Sequence, residues 1–118
     1  MNELGEMEMK FANLIWSRAP IGSGELVRLC EAEFDWKKST TYTMLRRLVQ
    51  RGLFENEDSV VRIKLSRADY DAKRSECFVK ENFGGSLPGF VTAFTKKHKL
   101  SDAEIAELEE IIRKNREV

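Results

Sequence analysis

Apolar residues recur at three- and four-residue spacing in three stretches near the start of the chain, and this period predicts three helices. The first, from Gly5 to Trp16, carries Met7, Phe11, Leu14 and Ile15 at that spacing, with Glu6 and Glu8 in the first turn where they favour the helix dipole. Arg18-Ala19-Pro20-Ile21-Gly22 breaks it and leaves room for a very short strand at Pro20-Ile21. A second helix opens at Ser23 or Gly24 and presents Leu26, Val27, Leu29, Cys30 and Phe34. The third lies within Trp36 to Leu53. Read with Ser39 as its cap, it turns Thr41, Leu45, Leu48 and Val49 to one side and Thr40, Thr43, Arg46, Arg47 and Gln50 mostly to the other. Gly52 ends it as a left-handed cap.

Beyond Gly52 the period shortens. Leu53-Phe54-Glu55-Asn56 and Val60-Val61-Arg62-Ile63-Lys64-Leu65 read as two strands joined by the polar turn Glu57-Asp58-Ser59. Three helices followed by a hairpin predict a winged helix-turn-helix over residues 1–65, mostly α with a small β wing. Alternation sets Arg62 and Lys64 on one side of the second strand, away from Val61, Ile63 and Leu65. Two outward cations suit contact with DNA, and they equally suit an edge strand guarded against pairing.

Residues 66–118 return to the helical period. Ser66-Arg67-Ala68-Asp69 resembles a capping box and starts a fourth helix with Tyr70, Cys77 and Phe78 on one side. Gly84-Gly85 stops it, and Ser86-Leu87-Pro88 begins a fifth with Leu87, Phe90, Val91 and Phe94 as its stripe. Ser101-Asp102-Ala103-Glu104 is the strongest capping box, opening a last helix that shows Ile105, Leu108, Ile111 and Ile112 against a charged surface. Three such helices bring too little apolar material for a second independent core, so this half is expected to be a dimerisation region in which two copies bury these stripes. The alternative is that the helices fold back on their own first domain.

Composition narrows the function. The 118 residues are 42% apolar and 34% charged, the balance of a soluble globular protein, and 20 Lys and Arg match 20 Asp and Glu. With no net charge, any nucleic-acid contact must come from a local patch, and one exists: Lys37 to Arg51 holds five basic residues and no acidic one. No apolar run is long enough to span a membrane, and Met1 to Lys10 is acidic rather than basic and apolar, so a cytoplasmic location is expected. Cys30 and Cys77 read as buried thiols, not a disulfide. His98, the single histidine, stands among Lys96, Lys97 and Lys99 without an acidic orienter, which makes a poor case for a Cys–His enzyme using Cys30 or Cys77. No residue pattern implies a metal or cofactor.

The third helix therefore carries the candidate chemistry. Short hydroxyl side chains near the start of a helix in a major groove can bond base edges or meet a thymine methyl, which fits Ser39, Thr40 and Thr43. Tyr42 and Arg46 are long enough for a base edge or a phosphate. Lys37, Lys38, Arg62 and Lys64 are candidates to neutralise phosphates, and Arg47 and Arg51 either do the same or pair with a nearby Glu. The competing reading is a winged-helix protein-interaction module that uses this helix without binding DNA.

Several stretches, in order along nearly the whole chain, resemble the penicillinase and methicillin-resistance repressor (BlaI/MecI) family. They are Leu4 to Trp16, Ser39-Thr40-Thr41, Leu45 to Leu53, Phe83-Gly84-Gly85-Ser86 and Leu100 to Ile105. The resemblance implies a homodimeric winged-helix repressor on a palindromic operator, released when an upstream sensor triggers a protease that cuts an Asn-Phe bond. Ala93-Phe94 stands at the matching place and argues against that release. No Cys follows Cys77, which argues against the thiolate copper site of other relatives. Arg62, Ile63 and Lys64 also replace the aromatic residues that many relatives carry in the wing.

Overall fold

A computed structural model describes residues 3–117; Met1, Asn2 and Val118, which the domain bounds read from the sequence include, lie outside it. The order is α1 (Glu6–Arg18), β1 (Ile21–Gly22), α2 (Ser23–Phe34), α3 (Lys38–Gln50), β2 (Phe54–Glu57), β3 (Val60–Ile63), α4 (Arg67–Phe83), α5 (Leu87–Thr95) and α6 (Asp102–Arg116). The strands form one antiparallel sheet in the order β1-β3-β2. This is the mostly helical, winged helix-turn-helix architecture that the periodicity predicts.

The chain divides into two compact units, one ending at Cys77 and the other beginning at Phe78. In the first, Phe11, Ala12 and Ile15 of α1, Leu26 and Cys30 of α2, and Leu45 and Leu48 of α3 close on Leu53, Phe54 and Val61 of the hairpin. Tyr70 joins them fully buried, its hydroxyl accepting from the Leu4 amide at 3.3 Å and its ring lying 5.6 Å from that of Trp16. The Trp16 indole N–H in turn donates to the Leu65 carbonyl at 2.9 Å. The start of α4 thus contributes to the core of the first unit.

Two local expectations need correction. Ser39 does not cap α3: Lys37 occupies the N-cap position, and no side chain bonds the helix start among the described residues. The entry is set by packing instead, since Trp36 lies 5.3 Å from the Phe11 ring and 4.9 Å from that of Phe34, which starts the helix one residue before Ser39. Ile63 is 42% exposed although alternation assigned it to the inner side. Its cause is the length of β1, whose pairing with β3 covers only Val60 and Val61, so that the sheet is two-stranded at Ile63. For the same reason β3 is the middle strand at its start and an edge strand only where Arg62 begins. Gly52 has the expected left-handed backbone, φ 82°, where a side chain would be strained.

In the second unit, Gly84 and Gly85 (φ 56° and 81°) separate α4 from α5. Ser86 Oγ caps α5 by accepting from the Gly89 amide at 2.9 Å. Ser101 and Glu104 form the predicted reciprocal box, with bonds of 3.1 Å in both directions. No residue of this unit is buried among those described. Nor is any helix among the described residues long and apolar enough to cross a membrane.

Candidate nucleic-acid interface

Helix α3 is held on one side and bare on the other. Thr41, Leu45 and Leu48 are buried, at 1%, 2% and 0% exposure, and this fixes the rotation of the helix about its axis. Lys37, Lys38, Ser39, Thr40, Thr43, Arg46 and Arg47 all fall on the exposed side. The structure therefore gathers seven of the ten predicted contact residues on one surface. Because no side chain caps the helix, the amides of its first turn stand at the positive end of the dipole, beside two lysines. The buried Thr41 hydroxyl faces the Cys30 thiol without forming a hydrogen bond of ordinary geometry. Burial pushes that thiol above its usual range, and the hydroxyl offsets part of the shift.

Tyr42 is tied into the fold. It is half-buried, and its hydroxyl donates to Ser23 Oγ at 3.3 Å. The Ser23 amide donates to the Ser59 carbonyl at 2.8 Å. These two bonds tie the early turns of α3 to the start of α2 and on to the tip of the wing. Asn56 of β2 also lines a cleft of about 140 Å³ with Tyr42, Leu45, Arg46 and Val49. Neither Ser23 nor Asn56 carries a signal in the sequence that would have singled it out, since both act only through tertiary contact.

The wing cations have different neighbours. Arg62 lies directly across the ladder from Glu55, so its charge stands beside an opposite one. Lys64 sits at the hairpin base, where its amide donates to the Leu53 carbonyl at 3.0 Å. There it lines a cavity of about 610 Å³ with Arg51, Gly52, Leu65, Lys73, Glu76 and Cys77, at the C-terminal end of α3. Lys73 belongs to this basic cluster although the sequence places it in the helical half. The described residues contain no group of three or more His, Cys, Asp or Glu able to hold a metal.

With this geometry in view, comparison with known proteins decides the family. The penicillinase repressor family matches residues 4–114. The chain belongs to that family. A penicillinase repressor of Bacillus licheniformis is 25% identical over 118 residues, covering 97% of this chain and 92% of the relative. The methicillin resistance regulatory protein MecI of Staphylococcus aureus strain Mu50 is 25% identical over 116 residues, covering 95% and 94%. A penicillinase repressor of Staphylococcus aureus is 23% identical over 114 residues, covering 93% and 90%. The penicillinase repressor family is one of repressors and not of enzymes. Cys30 is buried as expected, whereas Cys77 is only half-buried, and His98 has a carboxylate beside it after all, that of Glu104 at 3.8 Å, which is also engaged in a helix cap.

The second unit of this penicillinase repressor family member carries the residues assigned to dimerisation. Leu87, Val91, Phe94, Ile105, Leu108, Ile111 and Ile112 are 39–59% exposed, and Phe90 is half-buried. Phe90 meets Phe78 and Phe83 edge-on at 5.9 and 5.4 Å, which gives α5 its only aromatic support within the unit among the described residues apart from Phe94 and His98. An apolar groove of about 310 Å³ runs between α5 and α6, lined by Phe90, Val91, Phe94, Leu108 and Ile111 among others.

Proposed function

We propose that the protein is a sequence-specific repressor that binds a palindromic operator as a homodimer in the cytoplasm. The exposed, acid-free face of α3 carries this reading. Ser39, Thr40 and Thr43 are the base-reading groups, with Arg46 beside them reaching a base edge or a phosphate. Lys37, Lys38 and Arg47 hold phosphates, aided by the uncapped helix start. Arg62 and Lys64 contribute less, one because Glu55 stands across from it and the other because it lies at the far end of α3. Tyr42 positions the reading helix through Ser23 and does so without touching DNA.

The second unit supports the homodimer. Seven large apolar side chains at 39–59% exposure form a surface that water does not favour, and a second copy offers an identical surface. Two reading helices joined in this way match a two-fold operator whose half-site centres are about one helical turn apart or a little more. The proposal includes no protease step, because Ala93 replaces the asparagine of the cleavage pair.

The test is retardation of a DNA fragment from upstream of the protein's own gene across a salt series. Sequence-specific binding that weakens steadily with salt is the expected result. If no fragment binds even at low salt, α3 serves a protein partner and the DNA reading is wrong.

A further inference from the structure

The wing hairpin is acidic at its tip. Glu57 ends β2, and Asp58 and Ser59 make the two-residue turn, with φ of 52° and 61°. Both positive φ values mark the turn type whose twist suits a hairpin and which asparagine and glycine occupy most readily. Glu57 and Asp58 are exposed, and neither side chain makes a hydrogen bond or ion pair among the described residues. Their charge is thus not consumed within the fold.

The tip is also fixed in place. The Ser59 carbonyl is held by the Ser23 amide, and Ser23 Oγ by the Tyr42 hydroxyl, one residue before Thr43. Asn56, the residue before Glu57, shares a cleft with Tyr42 and Arg46. The carboxylates consequently travel with the reading end of α3. Repulsion between such carboxylates and the closely spaced phosphates of a duplex seated on Thr40 and Thr43 would act over about one screening length, roughly 8 Å.

We propose that Glu57 and Asp58 form an electrostatic brake: a negative wing tip that lowers affinity for every duplex alike, so that only a sequence satisfying α3 is held. The inference rests on the DNA-binding reading above. A uniform penalty leaves the ratio of affinities unchanged, but it pushes weak non-specific complexes below the concentration at which they form while the operator complex survives.

The test is the full-length double variant Glu57→Gln/Asp58→Asn, titrated against the upstream fragment and a random duplex of the same length. Asparagine tolerates the left-handed backbone at position 58, and an unchanged melting temperature shows that the turn persists. The brake predicts that both duplexes bind roughly five-fold more tightly at low salt, that the gain shrinks as salt rises, and that preference among single-base operator variants is unaltered. Weaker operator binding, or a changed preference at one base pair, would mean that a carboxylate accepts a hydrogen bond from a base and overturns the proposal. Equal affinity of variant and wild type overturns it too. If wild type binds no duplex at low salt, the underlying DNA reading fails and the brake with it.

Discussion

The two units of the chain solve the problem of apolar surface in opposite ways. Up to Cys77, side chains from α1, α2, α3, the hairpin and the first turn of α4 are fully buried within one chain, with Tyr70, Phe11 and Phe54 at 0% exposure. From Phe78 onward no described residue is buried, and Leu87, Ile111 and Ile112 stay near 58–59% exposed. The reading head is complete by itself. On the proposed reading the helical half is the surface that meets a second copy, and a chain with no net charge gives one head little non-specific affinity to fall back on.

The sharpest way to break this contrast is to charge the helical half. Leu108→Glu should turn the dimer into a monomer and lower operator affinity on the order of 100-fold or more, while leaving the main melting transition of the first unit nearly unchanged. Sedimentation and retardation on the same preparation measure both; a dimeric variant with full affinity would remove Leu108 from the interface. The reverse experiment is Leu48→Ala, which empties a fully buried site in the first unit. It should cost about 2–5 kcal/mol of stability in chemical denaturation while α6 keeps its capping box.

Smaller effects separate reading from holding on α3. Thr43→Ala should cost about 1–3 kcal/mol at a single operator position and relax the preference there. Binding to all single-base variants that matches wild type would exclude Thr43 from the reading set. Lys38→Ala should weaken every sequence alike and lower the salt slope by about one, and an unaltered slope would show that Lys38 meets no phosphate. Smallest of all, Ser59→Gly should raise stability by about 0.5–1 kcal/mol, since glycine takes the φ of 61° without strain and the Ser59 carbonyl keeps its bond to Ser23. A lower melting temperature would show that the serine side chain matters to the turn.

Periodicity was enough to place the six helices and the hairpin of the described residues, because each is amphipathic over several turns or alternations and most ends carry ordinary stop signals. What it missed depends on contacts between distant residues. The start of α3 is set by Trp36 packing on Phe11 and Phe34, which overrides the local preference for serine at a cap. Ile63 is exposed because β1 stops after two residues, a length no pattern within β3 can reveal. The exposed face of α3 was legible residue by residue, since burial of Thr41, Leu45 and Leu48 leaves it no other orientation. The anchoring of Tyr42 and the different neighbours of Arg62 and Lys64 were not, because both are set by which side chain or strand comes to lie opposite.

The central claim is that one operator is read by two heads brought together by the helical half. Stoichiometric titration of the upstream operator fragment with the full-length protein, followed by sedimentation of the complex, tests it most directly. Two chains per duplex, with no stable one-chain complex at concentrations where the two-chain complex forms, is the result expected. A single chain bound per duplex at full affinity would contradict it.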